Sequence, residues 1–401
     1  MPTAIAPLAI TAWTASSAVG LGRVALASAL EQRNSGLIRN DFTATALPCW
    51  IGRVAGIEQV TVPDNLARYD CRNNRLAWLA IEQDGFIDAA RACIERHGAD
   101  RVALLIGTST GSIAVTEEGY RLLEDGRIPD SLRERLLHTP HSLGVFLAEA
   151  LGTRGPCLTI ATACSSSAKI FASAERLLRL GLADAAIVAG VDTLCGSVLF
   201  GFNALELVSP EPCRPFDIDR RGISIGEAAG FAILERHDDV SGHAGPWLLG
   251  HGESSDAWHM STPHPEGLGA ALALDAALVR AGLAPQQIDY INLHGTATRK
   301  NDEVEAAVIA QRFPATTRAS SSKGWTGHTL GAAGILEAAI SLTAIEHNLV
   351  PATLNCERLD PACGPQLALA NEWRHVRTAM SNSFGFGGNN CSLIFSRDRL
   401  N

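Results

Sequence analysis

Two stretches of this chain repeat one pattern, and that repetition restricts the fold more than any other feature. The first runs from Leu158 to Gly190. A short apolar strand ends in ATACSSSAK, and a helix follows with apolar residues at 170, 171, 174, 177 and 178, a period near 3.6. Gly181 supplies a helix stop and the strand DAAIVAG comes next. The second copy begins at Ala319, where SSSKGWTGHTLGAAG leads into a helix with apolar or small residues at 332, 335, 336, 339, 340 and 343. Both helices are rich in alanine and small residues nearly all round, which predicts that both are buried. Two buried helices in matched positions predict two similar halves packed face to face. The expected division is 1–240 and 241–401, with the boundary in the polar stretch from His237 to Pro246.

The rest of the chain fits an α/β class, because strand, loop and helix alternate. Short apolar runs mark buried strands at Arg101 to Ile106, Cys157 to Thr162, Ala185 to Ala189, Gly230 to Leu234, Ile288 to Leu293 and Ser392 to Phe395. The formal charge of −9 argues against nucleic acid as a partner. Ten cysteines, none in a C-x-x-C pair, read as buried thiols in a reducing compartment. The apolar N-terminus lacks the positive region of a signal peptide, since the first basic residue is Arg23. No run of about 18 apolar residues predicts a membrane span, so the expected location is cytoplasmic.

Three positions have the context that nucleophilic chemistry needs. Cys164 lies between a strand and the start of a buried helix, where partial positive charge and free N–H groups favour a thiolate and can hold an oxyanion. The other nine cysteines read as structural. His294, in NLHGTATRKND, ends a strand and is followed by two hydroxyls, Thr296 and Thr298, which an extended segment points the same way. His328 lies in a glycine-rich approach to the second buried helix. Glu337, inside that helix, needs a partner, and Lys323 is the natural one. Asn382 to Asn390, NSFGFGGNN, holds three glycines and two phenylalanines, a composition for a mobile loop closing over an apolar substrate or for a tight turn. Asp256, His259 and His264 lack the spacing of a known metal motif, and the glycine-rich stretch lacks the order of a phosphate loop.

Taken in order, TACSSS, PFDIDRRGISIGEAAG, SSDAWHMSTP, HGTAT, SSKGWTGHTLGAAG and NSFGFGGNN resemble the β-ketoacyl-[acyl-carrier-protein] synthases of the thiolase superfamily, in the elongating branch with a Cys-His-His centre. The resemblance covers nearly the whole chain. It implies a thiolase-like five-layered αβαβα fold of two related halves and an acyltransferase that runs a decarboxylating condensation of an acyl thioester with malonyl carrier protein. By the same resemblance, Cys164 carries the acyl chain, and His294 and His328 bind the malonyl carbonyl. Lys323 and Glu337 set the electrostatics of the histidine pair. The N–H groups of Cys164 and Phe386 form an oxyanion hole, Phe386 gates, and Thr296, Thr298, Thr110 and Phe384 contact substrate, with Thr110 gating the acyl pocket. Acyl carrier protein is the implied partner, docking on a basic patch of Arg68, Arg72 and Arg75 or on Arg299 and Lys300. A homodimer, or a heterodimer with a chain-length factor, is implied; no metal and no organic cofactor is.

Some positions depart from the family pattern. Ile223 stands where phenylalanine is common, Ser322 and Asn389 where threonine is, and Arg299 where proline is. These departures, with VDTLCGSVLFG and RYDCRNNRLA, resemble ketosynthases of aryl-polyene pigment clusters; housekeeping fatty-acid elongation is the alternative. Chain-length factors share the fold but lack the nucleophile, so Cys164, His294 and His328 favour an enzyme.

Overall fold

The structure, a computed structural model, describes residues 3–240 and 242–400. Ser241, the first residue of the expected second half, lies outside the described residues. Ten strands form one continuous path: β1 (Leu8–Ser17), β2 (Val102–Gly107), β3 (Cys157–Ile160), β4 (Ala185–Asp192), β5 (Ala228–Arg236), β6 (Trp247–Ser255), β7 (Tyr290–Asn292), β8 (Arg318–Ser320), β9 (Thr378–Gly385) and β10 (Asn389–Ser396). Their order is β8-β7-β9-β10-β6-β1-β5-β4-β2-β3.

That order contains the same five-strand unit twice. In the first unit β2 runs parallel to β3 and β4, β4 is antiparallel to β5, and β5 to β1. In the second, β7 runs parallel to β8 and β9, β9 is antiparallel to β10, and β10 to β6. The units meet where Leu8 pairs with Leu248 and Ala9 with Trp247. β4 is buried at every position, as expected of a strand covered on both faces.

Three hydrophobic clusters separate five layers. Helices α1 (Arg72–Ile81), α2 (Phe86–His97) and α3 (Ser142–Leu151) cover the outer face of the first sheet. Between the sheets lie α4 (Ser166–Arg179) and, beyond α5 (Gly196–Ala204), the equivalent of α4 in the second half; α6 (Leu268–Ala281) and α7 (Arg299–Arg312) cover the outer face of the second sheet. That equivalent is α8 (Ala333–His347), buried without interruption from Ala333 to Ile345. α4 differs from the expectation. It buries one face and turns Arg176 and Arg179 outward, where they pair with Glu253 and Glu175.

The two central helices approach closely at Gly334, where an added Cβ would lie 2.3 Å from the Ala168 nitrogen. A Cβ at Gly107 would meet the Ser167 nitrogen at 2.5 Å, so glycine also sets how near β2 comes to the start of α4. All ten cysteines are free thiols. Among the described residues, no helix is long and apolar enough to cross a membrane.

Candidate active site

The ends of β3, β7 and β8, all parallel strands of the two sheets, deliver Cys164, His294 and His328 to one point. The nucleophilic and metal-ligating atoms of the three side chains lie within 4.8 Å of one another. His328 Nε2 is 3.0 Å from Cys164 Sγ, and the two imidazole rings stand edge to face at 5.3 Å between centroids. Each of the three lies within three residues of a non-glycine residue in the left-handed region: Ala163 (φ 53), Ala297 (φ 67) and Leu330 (φ 55). Such residues cost on the order of 1 kcal/mol each and persist where the surroundings over-determine them.

Hydrogen bonding sets which ring nitrogen carries a proton. The Leu330 N–H donates to His328 Nδ1 at 3.3 Å, so the neutral ring holds its proton on Nε2, facing Cys164. The Lys323 ammonium lies 3.4 Å from His294 Nδ1 and also donates to the His294 carbonyl. That again leaves Nε2 as the protonated nitrogen. Burial and the Lys323 charge hold both imidazoles well below their ordinary range, with His328 adding to the effect on His294. The site therefore presents two neutral N–H donors near pH 7.

Lys323 and Glu337 are buried and paired at 2.5 Å. Burial raises the Glu337 carboxyl, and Lys323 opposes that rise. Burial likewise pushes the Cys164 thiol up to about 11, against the pull of the Lys323 charge and of the nearby Phe386 N–H. Position at the head of a helix does not by itself make this a standing thiolate.

A cavity of about 490 Å³ opens onto the three residues. Phe202, Leu207, Ile223, Phe384 and Phe386 give it apolar walls, with Phe386 tilted against Phe202 at 5.6 Å between ring centroids. The Thr296 and Thr298 hydroxyls are 2.8 Å apart and line the same cavity. Arg221, Arg299 and Lys300 are exposed along its wall.

The arginine patch read from the sequence needs correction, and Thr110 lies outside this cavity. Its hydroxyl and N–H both donate to the buried carboxylate of Asp192, at 2.6 and 2.8 Å, so it anchors the loop after β2. The arginines of α1 and the turn before it do not form a free basic patch. Arg72 is nearly buried and donates to Glu227, a fully buried carboxylate that also accepts from the Val54 and Leu194 N–H groups. Arg75 is paired with Asp70 and Arg68 with Glu149. In the Asp256–His259–His264 run, Asp256 accepts from the His264 N–H and the Asn390 amide, and its own N–H donates to the Gly388 carbonyl.

Sequence reasoning missed the clamp beneath His294. Glu305 accepts the N–H groups of His294 and Gly295 at 2.8 and 2.7 Å. Asp302, one turn earlier on α7, accepts those of Ala297 and Phe216. Both are buried, and burial pushes their carboxyls up to about 7 and about 6. The signal was Asp302 and Glu305, two carboxylates three apart in NDEVE, two residues after HGTAT.

The chain matches the β-ketoacyl synthase N-terminal domain over residues 68–240 and the β-ketoacyl synthase C-terminal domain over residues 247–357. It is 36% identical to the mitochondrial 3-oxoacyl-[acyl-carrier-protein] synthase of Arabidopsis thaliana over 331 residues, covering 77% of this chain and 71% of that one. It is 33% identical to Nodulation protein E of Rhizobium meliloti (strain 1021), covering 86% and 88%. A chain in the complex of a ketosynthase (ApeO) with its chain length factor (ApeC) from Xenorhabdus doucetiae superposes with a TM-score of 0.88 at 38% identity, covering 98% of each. The protein belongs to the β-ketoacyl synthase family.

Proposed function

We propose that the protein is a β-ketoacyl-[acyl-carrier-protein] synthase in which Cys164 holds the growing acyl chain and the histidine pair receives the malonyl thioester. The observation that carries this reading is the 3.0 Å contact of His328 with Cys164, with a second neutral histidine beside it, at the floor of one cavity.

In the first half-reaction the Cys164 sulfur attacks the acyl thioester of a carrier protein. The carbon–sulfur bond to the pantetheine breaks, and the thiol proton of Cys164 ends on the departing pantetheine sulfur. Negative charge on the carbonyl oxygen is met by the backbone N–H groups of Cys164 and Phe386. In the second, the Nε2–H groups of His294 and His328 donate to the malonyl thioester oxygen. The bond between the α-carbon and the carboxylate carbon breaks, CO2 leaves, and the electron pair is held as an enolate on that oxygen. The enolate carbon attacks the Cys164 thioester carbonyl, a carbon–carbon bond forms, the carbon–sulfur bond to Cys164 breaks, and the departing Cys164 thiolate takes up a proton. Neutral donors suit this step, because their N–H groups stabilise charge that appears only as CO2 departs. Thr296 and Thr298 hold the pantetheine arm, and Phe384 and Phe386 exclude water.

The chain-length-factor complex among the similar structures supports a heterodimer, with this chain as the catalytic member because it carries Cys164, His294 and His328. β3 ends the sheet with a free edge, and Leu158 on it is 45% exposed. An unpaired apolar edge is a seat for another sheet. The test is to mix the chain, alone and with a chain length factor, with malonyl-carrier protein and carriers charged with saturated or aryl-polyene chains. A 3-oxoacyl product with matching CO2 is expected, and neither from any mixture contradicts the reading. Product from the chain alone assigns a homodimer, and the preferred chain assigns the pathway.

The carrier protein itself is acidic, and Arg221, Arg299 and Lys300 offer it a cationic rim. The Arg221→Glu/Lys300→Glu variant is expected to raise KM for acyl-carrier protein about tenfold at low salt, less at high salt, with kcat retained. Unchanged KM in steady-state assays moves the docking surface elsewhere.

A further inference from the structure

Between β9 and β10 the chain makes a short hairpin whose loop is Phe386–Gly388. The pair that closes it is Gly385 with Asn389. Both sides of this base rest on the segment that carries the nucleophile. On one side, a Cβ at Gly385 would sit 3.1 Å from the Thr162 carbonyl oxygen and 3.2 Å from the Ser165 nitrogen, so the strand lies directly on the turn around Cys164. On the other, the Lys169 ammonium, one turn into α4, donates to Asn389 Oδ1 at 3.0 Å. Lys169 is half-buried, and no carboxylate lies within ion-pair distance of it among the described residues. A partly desolvated ammonium with one neutral acceptor is an expensive arrangement for a purely structural lysine. It is also directional, since the ammonium reaches the one side chain that closes the hairpin.

We propose that Lys169 is a positioning residue for acyl transfer: by holding Asn389 it fixes the hairpin base to the nucleophile helix and so places the Phe386 N–H at the Cys164 sulfur. The inference rests on the reading of Cys164 as the acyl-carrying nucleophile. It predicts an asymmetry. The Phe386 N–H serves the acyl thioester on Cys164, whereas the malonyl thioester oxygen is served by His294 and His328, which are held through Lys323, Glu305 and Leu330. Loss of the Lys169 contact therefore touches attack on the acyl carbonyl, read here in the acylation of Cys164, and spares decarboxylation of the malonyl thioester.

The test uses single-turnover acylation of Cys164 by acyl-carrier protein, read by intact mass, beside CO2 release from malonyl-carrier protein by enzyme that has already been acylated. Lys169→Met is expected to slow acylation about tenfold, with decarboxylation within about twofold of wild type. Lys169→Arg, which keeps a cationic donor, is expected to recover most of the rate. Asn389→Ala is expected to match Lys169→Met, and the double variant to be no slower than either, because the two act through one contact. Acylation unchanged in Lys169→Met overturns the proposal. So does a parallel fall in both half-reactions with additive single variants, the signature of general structural damage. If the wild type itself takes no acyl group, the functional reading fails and this proposal with it; if it does and Lys169→Met keeps pace, only this proposal fails.

Discussion

His294→Ala is expected to lower 3-oxoacyl product formation by about 10²- to 10³-fold while acylation of Cys164 stays within about threefold of wild type. The asymmetry comes from where each donor points. His294 has its Nδ1 turned to Lys323, which leaves Nε2 as the donor. The Cys164 contact belongs to His328, not to His294. Removing His294 takes one of two donors from the malonyl oxygen and leaves the acyl-transfer donors, the Cys164 and Phe386 N–H groups, in place. The loop survives the change, because Glu305 and Asp302 hold it through backbone N–H groups that alanine retains. Rapid-quench assays of each half-reaction check this. Equal losses in both would mean that His294 supports the nucleophile and not the enolate.

The second large effect is at Lys323. Lys323→Met removes the sole hydrogen-bond partner of Glu337, a carboxylate that is 2% exposed and whose Oε2 already lacks a hydrogen-bond partner among the described residues. Breaking a buried pair from one side costs about 3–5 kcal/mol. The double variant Lys323→Met/Glu337→Leu removes the orphaned charge and is expected to recover stability to within about 1 kcal/mol of wild type in urea unfolding. Condensation is not expected to return with it, because the His294 carbonyl and ring have lost their donor. Removing the Lys323 charge also takes away one of the causes that depress both imidazoles. Their titrations, followed by NMR, are expected to move up toward the ordinary histidine range while burial keeps them below it. Stability and activity recovering together would make the pair a structural staple only.

Much of this was legible in the sequence for identifiable reasons. The helix after SSSKGWTGHTLGAAG was legible because burial forces small apolar residues onto every side, as α8 shows from Ala333 to Ile345. Cys164 and His294 were legible because each follows a short apolar strand at a change of pattern, and His328 because it lies in a glycine-rich approach to a buried helix. Lys323 was legible as the partner of a glutamate stranded in an apolar helix. What failed were inferences that needed a side chain's partner across the fold. Nothing local to LARYDCRNNR says that Arg72 meets Glu227, 155 residues away. α4 was over-read as buried all round: Arg176 turns out to Glu253, 77 residues away, while Arg179 pairs within the helix with Glu175, a signal that was local. The thiol is another such case. Its place before a helix suggests activation, but complete burial outweighs that until a substrate arrives.

The central claim is that Cys164 carries the acyl chain, and intact-protein mass after mixing with acyl-carrier protein tests it most directly. The account predicts a mass gain of one acyl group in the wild type, none in Cys164→Ala, and its discharge when malonyl-carrier protein is added. A gain that persists in Cys164→Ala, or no gain in the wild type alone or with a chain length factor, would contradict it.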